Sequence, residues 1–154
     1  MRALNISEHG FTLVELLVVL AIAGLMLSLT PPLISAALPG VELKAAARRT
    51  ASALRVTREL AISSGQDQAW VLNVADNRYR IAATGRDGRL PSGIDLKLLG
   101  AEREMRGDDE GGVRFFPDGS STGGNVILTR DGHGYQVGVN WLTGRVLIAD
   151  WEPD

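Results

Sequence analysis

The chain contains no cysteine among its 154 residues. Disulfides, thiolate nucleophiles and cysteine-ligated metals are therefore excluded, while an oxidising compartment stays open. Histidine is almost as scarce: His9 and His133 are the only two, so a multi-histidine metal centre is excluded as well. No metal and no cofactor is expected. A strong net charge is also lacking. The formal value is −2, and removing the first ten residues takes away Arg2 and Glu8, which cancel. Such a balance gives no general attraction for nucleic acid or anionic lipid.

What is present is a long apolar run near the N-terminus. From Phe11 to Leu29 every residue is apolar or small and neutral except Glu15. Nineteen residues at 1.5 Å each span roughly 28 Å, against about 30 Å for a hydrocarbon core. A lone carboxylate at mid-membrane costs about 2.5–3.5 kcal/mol on insertion scales. Thr30-Pro31-Pro32 then interrupts, and Leu33 to Leu38 continues apolar. Both prolines lack a backbone donor, which predicts a kinked or locally opened helix. Three readings of the run compete. It is a plain membrane anchor, a secretory signal peptide cut near Ser35-Ala36-Ala37, or a signal cut before the run, which is then retained. The run exceeds the usual h-region, and only Arg2 and the terminal amine supply positive charge ahead of it. Lys44, Arg48, Arg49, Arg55 and Arg58 follow the run, and by the positive-inside rule they would favour the cytoplasmic side.

Pro39-Gly40 predicts a second break. From Val41 to Ser64 the period is helical, with Leu43, Ala47, Ala51, Leu54 and Ala61 on one stripe and Thr50, Thr57 and Arg58 beside it. Lys44, Arg48, Ser52, Arg55 and Glu59 form a polar face, and Ser63-Ser64-Gly65 reads as the stop. The period then changes to two. Residues 68–74 and 78–82 read as a hairpin, 94–98 and 113–116 as strands. Residues 125–130 and 135–140 form a second hairpin through Asp131-Gly132-His133-Gly134, and 145–148 is a final strand. Glu102 to Gly112 reads as a mobile charged loop. Trp70 and Trp141, in or beside strands, are expected in the core, and Trp151 is expected to be exposed. The fold class expected is α+β: a long N-terminal helix packed on a C-terminal antiparallel β domain of two small sheets.

Several segments imitate catalytic motifs. Gly119-Ser120-Ser121-Thr122-Gly123 matches G-x-S-x-G, with Ser121 as nucleophile and Asp131 and His133 as partners. That motif requires a strand–turn–helix setting, but a strand follows here, and both partners share one tight turn. The same loop lacks the Gly-Lys-Ser/Thr ending of a phosphate loop. Asp108-Asp109-Glu110 lacks the spacing of a calcium loop. No enzymatic activity is expected; a membrane-anchored hydrolase using Ser121 is the distant alternative.

Gly10-Phe11-Thr12-Leu13-Val14-Glu15 resembles the prepilin-type N-terminus of type IV pilins and type II secretion pseudopilins. Phe115-Phe116-Pro117-Asp118-Gly119-Ser120-Ser121-Thr122-Gly123-Gly124 and Trp141-Leu142-Thr143-Gly144-Arg145-Val146 resemble the GspH/FimT family, more narrowly its type II secretion branch. The resemblance implies a leader over 1–10, a transmembrane helix over 11–38, an amphipathic periplasmic helix over 39–64 and a β domain over 65–154. It implies cleavage between Gly10 and Phe11, N-methylation of Phe11, and a registry role for Glu15, which would neutralise the Phe11 amine of a neighbouring subunit. Two buried opposite charges are tolerable when paired and expensive alone. Phe116, Pro117, Asp118, Gly119, Gly123, Gly124, Trp141 and Gly144 are the family-motif positions, with a structural role. The function implied is that of a minor pseudopilin at the tip of the type II secretion pseudopilus. The partners implied are the minor I, J and K pseudopilins, the major G type, the prepilin peptidase/methyltransferase and the bacterial inner membrane, with the β domain in the periplasm. The alternative is a type IV pilus minor pilin of the FimT/FimU kind. DNA-binding members of that kind carry Gly-Arg-x-Arg. This chain reads Gly144-Arg145-Val146-Leu147 and then Asp150, Glu152 and Asp154, so no nucleic acid is expected.

Overall fold

A computed structural model describes residues 11–101, 104–107 and 109–152, the side chains of 28–39 excepted. Among these residues one helix, α1 (Leu13–Ser64), is followed by nine strands. These are β1 (Gln68–Asn73), β2 (Arg78–Ile81), β3 (Arg86–Arg89), β4 (Asp95–Gly100), β5 (Met105–Arg106), β6 (Glu110–Phe115), β7 (Gly124–Arg130), β8 (His133–Val139) and β9 (Val146–Trp151). The fold is α+β, with every paired strand antiparallel.

The chain divides into two compact units, Met1–Leu38 and Pro39–Asp154. In the first, Thr12 caps α1: the Glu15 amide donates to Thr12 Oγ1 at 3.2 Å and the Leu16 amide to the Thr12 carbonyl at 3.1 Å. Thr12 and Glu15 thus stand at the N-cap and N3 positions of a capping box. Every residue from Phe11 to Leu27 is exposed in the isolated chain. Among the described residues, no helix is long and apolar enough to cross a membrane. The apolar segment over 11–38 lies partly beyond the described side chains. The helical assignment runs through Pro31-Pro32 and through Pro39-Gly40, where the two units meet, so neither place ends the helix. A proline removes a single backbone donor, and the hydrogen bonds of the flanking turns are enough to carry the helix past it.

In the second unit, the α1 stripe Leu43, Ala47, Thr50, Ala51, Leu54, Thr57 and Ala61 is buried, joined by Ala46 and Ala53. Small residues there let the sheets approach the helix closely. The stripe shares one core with Trp70 and Leu72 of β1, Val113 and Phe115 of β6, Val126 and Leu128 of β7, and Val137 and Val139 of β8. The strands form two sheets, ordered β3-β2-β1-β6-β5 and β4-β7-β8-β9. Two strands were not expected. β3, Arg-Asp-Gly-Arg, has little strand propensity of its own and is held as an edge by pairing with β2. Its Gly88 leaves room for the Tyr79 ring, which any Cβ would overlap. β5 falls inside the segment read as a mobile loop. It pairs with β6 and is braced by Arg106–Glu110 at 3.5 Å. The turn between β7 and β8 is tighter than expected: only Asp131 and Gly132 form it, both at positive φ, 51° and 78°. His133 and Gly134 already belong to β8, as two-residue hairpins with Asp-Gly allow.

Trp70 is fully buried, but the other two tryptophans depart from expectation. Trp141 is 65% exposed on the loop after β8. Trp151 is partly covered instead, its ring lying against Gly134. Trp141 lies two residues beyond Val139, the last residue of β8, so its side chain is freed from the inward–outward alternation that buries Val137 and Val139.

Candidate functional site

Two places gather the residues singled out in the sequence. The first is the start of α1. Gly10 lies outside the described residues. Phe11 precedes the helix and is 77% exposed. Glu15 sits in the first turn, where the helix dipole favours a carboxylate by about 0.3–1 kcal/mol at an exposed site. Its position therefore has a local physical reason as well as any intersubunit one.

The second place is where the two motif loops interlock. The loop after β6 turns tightly. The Gly119 amide donates to the Phe116 carbonyl at 2.9 Å and the Phe116 amide to the Ser120 carbonyl at 3.0 Å. Asp118 Oδ1 accepts from the Ser120 amide at 2.9 Å and from Ser120 Oγ at 2.6 Å. The Ser120 hydroxyl, then its amide, hold the Asp118 carboxyl below its ordinary value of 3.8. Gly119 has φ +84°, a left-handed conformation suited to glycine. The loop after β8 is built on Asn140, whose Oδ1 accepts from the Leu142 amide, the Thr143 amide and Thr143 Oγ1 at 2.9–3.0 Å.

The loops then bind each other. The Ser121 amide donates to the Trp141 carbonyl at 2.8 Å, and Ser121 Oγ donates to the Asn140 carbonyl at 3.2 Å. A Cβ on Gly144 would overlap the Gly119 carbonyl oxygen, so one loop's glycine makes room for the other's backbone. A Cβ on Gly123 would lie 3.1 Å from Trp141 Cβ, and one on Gly124 would lie 3.1 Å from the Leu99 carbonyl. Phe116 is half-buried and Pro117 and Asp118 are exposed, so the glycines carry the close approach.

Two arginines of α1 fasten the junction, a role that neither the placement of Arg55 on the polar helix face nor that of Arg58 beside the apolar stripe revealed. Arg58 Nε donates to the Gly119 carbonyl at 3.0 Å, and Arg55 Nη2 donates to the Val146 carbonyl at 3.1 Å. Nothing in the local sequence separates them from Arg48 or Arg49, because their partners lie 61 and 91 residues away. Arg130 was missed for the same reason. It donates to the carbonyls of Gly93 and Ser92 at 2.7 and 2.6 Å and pairs with Glu42 at 2.9 Å. Arg114 makes a bidentate pair with Glu104 at 2.9 and 3.2 Å, and that hydrogen bonding raises the guanidinium further above its ordinary value.

This arrangement does not perform catalysis. Ser121 is 5% exposed, and its hydroxyl is engaged twice, as donor to Asn140 and as acceptor from the Gly123 amide at 3.0 Å. Asp131 and His133 sit at the far end of β7, about 20 Å away at 3.3 Å per residue. A cleft of about 670 Å³ beside the loops is lined by Gly100, Gly123 and Gly124 together with Leu99, Met105 and Trp141. Among the described residues its lining has no acid or base, so what these residues offer is contact area.

Residues 46–144 match the family described as Type II transport protein GspH, and residues 6–30 match the prokaryotic N-terminal methylation motif. Type II secretion system protein H of Xanthomonas campestris pv. campestris is 34% identical over 138 residues, covering 90% of this chain and 81% of that protein. Among solved structures, the minor pseudopilin EpsH from the type 2 secretion system of Vibrio cholerae superposes with a TM-score of 0.56 at 19% identity. That match covers 71% of this chain and 97% of EpsH. The type IV minor pilin FimU of Pseudomonas aeruginosa gives 0.54 at 15% identity, over 72% of this chain and 90% of FimU. At these identities the two structures establish a shared fold.

Proposed function

The chain belongs to the GspH family of type II transport proteins, and from that membership we propose how it is matured and held in an assembly. It is a minor pseudopilin, a structural subunit and not an enzyme. Its leader over 1–10 is removed between Gly10 and Phe11, and the new amine on Phe11 is methylated. The segment 11–38 anchors the chain in the inner membrane in a single pass, with residues 39–64 and 65–154 in the periplasm. In the assembled pseudopilus, Glu15 pairs with the Phe11 amine of a neighbour. Its neighbours are the minor I, J and K types and the major G type, and the prepilin peptidase/methyltransferase acts on it beforehand.

The observation that carries this reading is the joint match. The methylation motif covers the N-terminus and the GspH family covers most of the rest. The FimU likeness concerns the fold alone, and the absent second arginine after Gly144-Arg145 speaks against a DNA-binding pilin.

The experiment is complementation of a secretion-deficient strain lacking its H-type subunit, with N-terminal sequencing of the matured chain. Phe11 is expected as the first residue, and secretion is expected to return. A chain that begins at Met1 and leaves secretion absent overturns the proposal. Two variants separate the possible roles of Glu15. Glu15→Gln keeps a side chain able to serve at N3 of a capping box but removes the charge, whereas Glu15→Ala removes both. If charge pairing sets the register, both variants are cleaved and both fail to assemble. Normal incorporation of Glu15→Gln would refute the ion pair and leave only the cap.

A further inference from the structure

The two sheets have four edges, and three are guarded. β3 carries Arg86, Asp87 and Arg89, β5 has two residues, and β4 carries Asp95 and Lys97. Charge and shortness are the usual means of keeping an edge from recruiting another chain. β9 is the least guarded: it is six residues long and its one charge, Asp150, stands next to the strand's last residue. It runs Val-Leu-Ile-Ala-Asp-Trp, without proline or a basic residue, and Leu147 and Ile148 are 58% and 37% exposed.

The register shows which backbone groups this edge offers. The Asn140 amide donates to the Arg145 carbonyl at 3.0 Å, marking that pair as hydrogen-bonded. Antiparallel pairs alternate, so Leu147, Ala149 and Trp151 bond to β8 while Val146, Ile148 and Asp150 turn their amides and carbonyls outward. The Val146 carbonyl confirms the parity, since Arg55 reaches it from outside the sheet. Among the described residues, nothing pairs with the outward groups of Ile148 and Asp150. Two amides and two carbonyls therefore stand ready for an added strand.

We infer that β9 is a docking edge for an extended strand of another pseudopilin, added to the second sheet. This rests on the pseudopilin reading above. The charge of the edge selects the occupant. Self-pairing of two copies would bring Asp150 and Glu152 of both strands onto one short ladder, where the cation at the edge, Arg55, is already engaged by the Val146 carbonyl. A foreign strand with a lysine or arginine facing Asp150 and apolar residues facing Leu147 and Ala149 matches the edge. The exposed apolar side chains supply burial, and the outward backbone groups supply direction and register.

The test uses the full chain in cells carrying the complete secretion system. Ile148→Pro removes an outward amide only, so the ladder to β8 is kept, as prolines on edge strands permit. Ile148→Ala keeps the amide and controls for the lost side chain. Ile148→Pro is expected to reach the membrane matured at normal levels and to reduce secretion at least tenfold, with Ile148→Ala close to the parent. Asp150→Pro, nearer the strand end, repeats the experiment if Ile148→Pro does not accumulate, and is expected to reduce secretion likewise. Because the chain has no cysteine, Ala149→Cys carries a benzophenone maleimide at one place only. Its cross-link is expected on another pseudopilin, identified by mass. Secretion at the parental level with whichever proline variant accumulates overturns the inference, as does a cross-link to a second copy of this chain. Failure of the parent chain itself to restore secretion overturns the pseudopilin reading instead, so the two failures are distinct.

Discussion

Replacing Gly144 by alanine tests whether the two motif loops are held by close backbone approach. Gly144 has φ +61°, and an alanine there incurs roughly 1–2 kcal/mol for a left-handed conformation. Its Cβ would also overlap the Gly119 carbonyl oxygen and lie 2.8 Å from Arg58 Nε and 3.1 Å from Arg58 Cδ. The arginine can swing away, but the carbonyl belongs to a loop fixed by hydrogen bonds on both sides. Shifting it breaks the Arg58–Gly119 bond and strains the turn, at about 1–3 kcal/mol by analogy with overpacked sites. The total expected is about 2–5 kcal/mol, a large part of the 5–15 kcal/mol typical of a domain. Gly132 is the internal control, since its φ is +78° but a Cβ there meets no atom within 4 Å. Gly132→Ala should lose only the conformational part, about 1–2 kcal/mol. Urea unfolding of the detergent-solubilised chain, followed by tryptophan fluorescence, measures both. If Gly144→Ala unfolds within about 0.5 kcal/mol of Gly132→Ala, steric interlock is not what joins the loops, and the reasoning from overlap fails.

Arg130→Ala leaves the Gly93 and Ser92 carbonyls and Glu42 without their donor, and a loss of about 1–3 kcal/mol is expected in the same unfolding assay. Arg130→Lys should recover less than half of it, because one ammonium cannot reproduce the guanidinium fork. The Asp118 carboxyl should titrate below 3.8 when followed by carbonyl NMR, and Ser120→Ala should move it back up. Because its folded value is depressed, its contribution to the turn is complete above 3.8 and fades as pH falls through the lower folded value; loosening of the turn between pH 5 and 7 would contradict this. Ser121→Ala should destabilise the chain by about 1–3 kcal/mol by leaving the buried Gly123 amide without its acceptor. The parent should stay unlabelled by a fluorophosphonate probe, and labelling would revive the hydrolase alternative.

Periodicity carried much of the fold. The buried stripe of α1 from Leu43 to Ala61 follows from helical spacing, because one face of a helix must meet the core whatever the partner is. The two hairpins were legible because Asp-Gly and Asn-containing turns break alternating apolar runs. β3 and β5 were not legible, since their residues favour no strand and become strands only by pairing with β2 and β6. Trp141 misled because an aromatic residue beside a strand is commonly core, but here the strand ends two residues earlier, at Val139.

The sequence by itself determined the family, the α+β class, the helix and every strand but β3 and β5. These depend on residue types at short spacings: the Gly10-Phe11 junction, the lone Glu15 in an apolar run, and the glycines of the two motif loops. Only the tertiary structure decided what those glycines are for and which arginines serve them. Gly119 and Gly144 are 25 residues apart, and Arg58 lies on another element, so their joint requirement for space arises only when both loops close over α1. It also decided that β9 is the least guarded edge. A strand's free side is set by which neighbour it lacks, a property of sheet order that no local pattern encodes.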